Sequence, residues 1–160
     1  MSDPQPKSAP PRLYLDDLSV GQRFTSGSHQ LDVSQVVAFA RQFDPQPFHV
    51  DAVAARQTFF KELVASGWHT AAITMRLLVE GGFPIAGGLI GAGGEISWPR
   101  ATKPDSLLHV ESEIVELKTS RSDPNRGMAT LRSETKNQLG QVLQVLTARL
   151  VVFRRPDNSD

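Results

Sequence analysis

Residues 66–82, Ser-Gly-Trp-His-Thr-Ala-Ala-Ile-Thr-Met-Arg-Leu-Leu-Val-Glu-Gly-Gly, form an apolar run that opens on a serine and closes on two glycines. Serine caps an exposed helix start and glycine releases the chain at the other end, so a helix from Ser66 or Gly67 to Gly81-Gly82 is expected. Only Arg76 and Glu80, spaced as an i,i+4 pair, look solvated. A helix with so little polar face is expected to be enclosed by other structure.

What would enclose it follows downstream. From Ile90 onward the apolar residues alternate with period two: Ile96 and Trp98; Leu108, Val110 and Ile114; Ala129 and Leu131; Leu146, Ala148, Leu150 and Val152. Between Ile114 and Val115 the phase slips by one residue before resuming at Leu117, the signature of a β-bulge that bends a strand. Asp123-Pro-Asn125 and Gly140 supply reversals, making the last three strands antiparallel neighbours. With an early strand over 23–31, the pattern predicts an α+β fold, a curved antiparallel sheet of about five strands around a central apolar helix.

Ahead of that helix, Asp32 caps a first helix to about Phe43, with Gln35 placed for the return bond of a capping box. Pro45 ends it. A loop, Asp44-Pro-Gln-Pro-Phe-His49, leads to a second helix capped by Asp51 and expected to reach Lys61.

The 160 residues include no cysteine and 17 basic against 17 acidic side chains. That composition suits one domain over residues 13–155 in a reducing, cytoplasmic setting. Four prolines within residues 1–12 predict a mobile arm, and polar residues 156–160 a disordered tail. Balanced charge argues against nucleic acid, and the lack of a long apolar span against a membrane.

Asp44 and His49 are the groups best suited to acid–base chemistry near neutral pH, and two prolines stiffen the backbone between them. Fully extended, their Cα atoms would stand roughly 15 Å apart at about 3.1 Å per residue, so the loop must curl if both are to reach one water. On residue types alone, the plainer reading of the pair is the end of one helix and the start of the next.

Further motifs extend the pattern. Phe43-Asp-Pro-Gln-Pro-Phe-His-Val-Asp51, Ser66-Gly-Trp-His69, Trp98-Pro-Arg100 and Lys103-Pro-Asp-Ser-Leu107, in that order, resemble the MaoC-like dehydratases, also called type-2 or (R)-specific enoyl-CoA hydratases. The resemblance spans nearly the whole chain. It implies a hot-dog fold, subunits paired through their sheets as a homodimer or an assembly of dimers, and a place in fatty acid metabolism. It also implies an acyl thioester of coenzyme A or a pantetheine carrier as substrate, with water added to or removed from the α,β carbon pair. The family's Asp and His map onto Asp44 and His49, and its oxyanion glycine onto Gly67. A backbone N–H at a helix start is aimed outward at the positive end of the helix dipole, where an enolate oxygen would be stabilised. Ser66 beside it caps the helix or adds a hydroxyl donor. No cofactor is expected beyond the coenzyme A of the substrate.

Departures are Gln46 and Ser66, where many members carry Asn and His, and Pro104-Asp105 without the usual glycine between them. They bear on acyl-chain preference, which would also depend on how Phe48, Phe59, Phe60, Trp68 and Phe83 pack. His69 is read as a hydrogen-bonded core or pocket-lining residue, and His29 and His109 receive no chemistry. Histidine spacing without thiols predicts no metal. Two alternatives share the fold: a hot-dog thioesterase, and a non-catalytic acyl-thioester-binding subunit.

Overall fold

Strand pairing in the computed structural model, which describes residues 11–157, runs β1-β3-β4-β5-β2 in one five-stranded antiparallel sheet. The strands are β1 (Arg23–Gln30), β2 (Ile90–Ser97), β3 (Leu107–Thr119), β4 (Arg126–Lys136) and β5 (Val142–Phe153). On β3 and β4, buried and less buried side chains alternate, as expected of a sheet with one face on a core. The register slips between Ile114 and Glu116, placing the bulge where the apolar phase breaks. Further slips occur in β1 and in β2. Together they bend the sheet.

Helix α1 (Val33–Phe43) starts at Asp32, whose carboxylate accepts the Gln35 N–H at 2.8 Å. The expected return bond from the Gln35 side chain is not made. Its amide donates instead to the Gln30 carbonyl, and its oxygen accepts from His29, because β1 lies close enough to compete. The loop expected after α1 contains a helical turn, α2 (Pro47–Val50), with Pro47 in the first turn where a missing N–H costs nothing. Helix α3 (Ala52–Ala55) is shorter than expected: Asp51 caps it through the Val53 and Ala54 N–H groups, but the chain turns away and Lys61 adopts a positive φ of 63°.

The central helix α4 (Gly67–Leu77) continues as a widened π turn over Leu78–Gly82, where Gly81 takes a φ of 122° that glycine tolerates. Ile73, Leu77 and Leu78 bury against Val110, Ile114 and Leu131 of the sheet. Enclosure is one-sided, contrary to the sequence reading: Trp68, Met75 and Val79 are exposed, because one copy of the sheet reaches only the inner face. Near the ends, Leu13 exchanges backbone bonds with Pro84 and Ala86, and the Arg155 guanidinium pairs with Asp17. The proposed arm, except residues 11 and 12, and the tail residues 158–160 lie outside the described residues. No described helix is long and apolar enough to cross a membrane.

Candidate active site

The α1 helix delivers Asp44 as its C-terminal cap, with the Asp44 N–H bonded to the Ala40 carbonyl at 2.8 Å. Two backbone bonds, Gln46 N–H to Asp44 O and His49 N–H to Gln46 O, then curl the chain into α2. The curl brings His49 Nε2 to 3.4 Å from Asp44 Oδ2. His49 is buried, and its Nδ1 lies 2.6 Å from the Val64 carbonyl. That oxygen only accepts, so Nδ1 carries a proton, and in the tautomer this bond selects the lone pair of Nε2 is turned toward Asp44.

Asp44 is held from both sides. Ser66 Oγ donates to Oδ2 at 2.7 Å, and Gln46 Nε2 donates to Oδ1 at 2.6 Å. Burial pushes this carboxyl up, but the bonds from Ser66 and Gln46 and the proximity of His49 outweigh it and hold the group below the ordinary carboxylate range. Asp44 is therefore a carboxylate at neutral pH.

Ser66 caps α4 by accepting the Trp68 N–H at 3.2 Å. Its single hydroxyl proton is committed to Asp44, so it does not serve a ligand oxygen. Gly67, next in the chain, lines the same cleft, and among the described residues its N–H has no hydrogen-bond acceptor. A Cβ on Gly67 would lie 2.6 Å from Trp98 Cε2, so the indole rests directly on the glycine. The Trp98 N–H donates to Gln144, fully buried on β5, whose amide donates to Thr74 on α4.

The cleft has a volume of about 320 Å³. Phe48, Phe60 and Val64 form its more enclosed side; Trp68, Trp98 and Arg100 form the exposed side. Phe59 is 89% exposed and Phe83 sits in the core against Phe24, so neither shapes the cleft. His69 is buried but does not line the cleft, and its Nδ1 has no hydrogen-bond partner, unlike the bonded residue expected. Gln144 is a part that sequence reasoning did not reach, and Gln46 and Trp98 read there as motif residues without their contacts to Asp44 and Gly67. Among the described residues, no cluster of three His, Asp or Glu side chains is placed to hold a metal ion.

A curved antiparallel sheet around one helix, with a carboxylate and an imidazole meeting at the head of that helix, defines a hot-dog-fold protein with an acid–base cleft. The chain belongs to the MaoC-like dehydratase family: the family model described as MaoC like domain matches residues 18–137. A MaoC-like dehydratase from Rhodospirillum rubrum superposes with a TM-score of 0.89 at 54% identity, covering 91% of this chain and 99% of that one. The unliganded R-hydratase PhaJ1 from Pseudomonas aeruginosa gives a TM-score of 0.70 at 25% identity, with 93% of each chain covered. The uncharacterized protein YdeM of Bacillus subtilis (strain 168) is 34% identical over 129 residues, 79% of this chain and 89% of that protein.

Proposed function

We propose that this protein is a hydro-lyase that adds water to an enoyl thioester, or removes it from a 3-hydroxyacyl thioester, carried on coenzyme A or a pantetheine arm. The observation that carries the reading is the placement of Asp44 Oδ2 and His49 Nε2, two acceptors 3.4 Å apart, in one cleft with the unbonded Gly67 N–H. A water donating one hydrogen to each acceptor turns its lone pair toward the β carbon. As the C–O bond forms, one of the pair takes the water proton and passes it to the α carbon, so a single shuttled proton balances the addition. Charge on the thioester oxygen at the enolate stage falls to the Gly67 N–H at the positive end of α4. The R-hydratase named among the similar structures supports this direction.

The assembly belongs to the same reading. Strand β2 lies at the sheet edge beside β5 and is almost entirely exposed, leaving an unpaired backbone edge. Pairing of two chains as a homodimer would cover it. A trans-2-enoyl-CoA series followed by loss of the conjugated-enoyl absorbance tests the reaction. Turnover by the native protein and its loss in Asp44→Asn and His49→Ala are expected; unchanged rates in both variants overturn the assignment. Release of free thiol in place of hydration would show a thioesterase.

A further inference from the structure

His69 is 8% exposed and carries the one buried side-chain nitrogen or oxygen among the described residues that has no hydrogen-bond partner, Nδ1. Its ring lies flat on Phe39 of α1, with centroids 4.5 Å apart and planes 4° from parallel. One turn further along α1, Phe43 packs on Phe39 at 5.2 Å, and Asp44 follows directly. Asp44 thus hangs from α1 while its carboxylate is bonded to Ser66 at the head of α4. How α1 lies on α4 sets whether Asp44 reaches both Ser66 and His49.

We infer that His69 is a positioning residue for Asp44: as a neutral imidazole it clamps α1 to α4 through Phe39, and taking up a proton releases the clamp. The inference rests on Asp44 being the base of the proposed reaction. A neutral ring with its proton on Nε2 leaves Nδ1 as an unused acceptor, whereas protonation places an N–H there with nothing to receive it. Attraction of an imidazolium to the Phe39 face offsets only part of the cost of a charged ring whose Nδ1–H is buried without a partner. Among the described residues no carboxylate pairs with the His69 ring. The charge that reaches His69 is that of His29 on β1, which has the same sign and lies near Asp32 at the start of α1, with its Nε2 donating to Gln35. Phe39 is the face that α1 turns to the ring. Burial, aided by His29, accordingly holds His69 below the ordinary imidazole value.

The sign follows from linkage. An opened α1 lets His69 take a proton that the closed form resists, so closure is favoured above the ordinary imidazole value and weakens as pH falls below it. With an ordinary value of about 6.5, the His69 contribution raises the α1 opening constant by at most about thirtyfold between pH 7.5 and pH 5. Hydrogen–deuterium exchange of the α1 amides, corrected for intrinsic rates, reads this without substrate. The native protein is expected to show the rise and His69→Phe, which keeps a stacking ring but cannot titrate, to lose most of it. In the same variant, the ratio of kcat/KM at pH 5 to that at pH 7.5 is expected to increase. An equal rise of α1 exchange in both proteins overturns the inference. Should His69→Phe fail to fold, NMR titration of the native His69 ring decides: a ring that titrates at the ordinary value while α1 shifts stay still overturns it, and coincident movement supports it. Failure of hydration on every enoyl thioester, with the exchange response intact, would count against the proposed reaction alone.

Discussion

Two buried histidines near the head of α4 pack against phenylalanines, and their surroundings differ in kind. Around His49 the ring meets Phe48 edge-on, Nδ1 is tied to the Val64 carbonyl, and Nε2 faces Asp44. Around His69 the ring lies flat on Phe39 and Nδ1 meets nothing. Hydrogen bonds fix a tautomer and aim a lone pair, whereas stacking fixes a ring plane and leaves a positive charge unsupported. On the proposed reading the first region exchanges protons with a ligand, and the second stays in register only while it carries no charge.

The widest separation between the two regions should appear in turnover. On an enoyl thioester, His49→Ala and Asp44→Asn are each expected to lower kcat/KM by about 10²–10⁴-fold, the usual contribution of a positioned acid–base group. At neutral pH His69→Phe should lose far less. Equal losses in His49→Ala and His69→Phe would break the distinction between a proton-handling and a positioning imidazole.

A second test asks whether hydrogen bonds hold the other wall of the cleft as they hold His49. Thr74 Oγ1 accepts from the fully buried Gln144 amide at 3.0 Å, and Gln144 in turn accepts the Trp98 N–H at 3.0 Å. Thr74→Val leaves that amide with an unmet donor and should cost about 1–3 kcal/mol in urea unfolding. Gly67→Ala forces a methyl into the Trp98 indole and should cost a similar ~1–3 kcal/mol by overpacking. Trp98→Leu is expected to recover much of the Gly67→Ala loss in a double-mutant cycle. Strict additivity would mean that the glycine is demanded by something other than the indole.

Much of this was legible in the chain because it rests on local chemistry. The period-two runs, the slipped phase at Ile114 and the capping residues Asp32, Asp51 and Ser66 act within a few residues of themselves, and the structure keeps each of them. The curl between Asp44 and His49 was required only on the condition that both reach one water. What the chain concealed depends on partners remote in sequence. Strand β2 precedes β3 yet pairs with β5 at the sheet edge, and nothing in Ile90–Ser97 encodes that choice. The resemblance assigns Gly67 an oxyanion role, and nothing local to it announces that Trp98, 31 positions on by the numbering, packs directly on it. Ser66 looked like a cap or a donor to substrate, and its proton goes to Asp44 across 22 residues of chain.

That last bond yields the smallest expected effect and one with a definite sign. Because Asp44 is held below the ordinary carboxylate range, its ionisation favours the folded site above the ordinary aspartate value, and that contribution is lost as pH falls through the lower folded value. Burial works against ionisation, and the Ser66 hydroxyl is the first of the bonds that overcome it. Ser66→Ala removes the donor and the helix cap together, with a cap loss of about 1 kcal/mol expected in urea unfolding. It also leaves burial less opposed, so the Asp44 carboxyl, followed by carbon-13 NMR, should titrate at higher pH than in the native protein. The loosening of α1 expected on acidification should therefore start at higher pH in Ser66→Ala and at lower pH in His69→Phe. Shifts of the same sign in both variants would mean that Asp44 does not sense α4 through these two contacts separately.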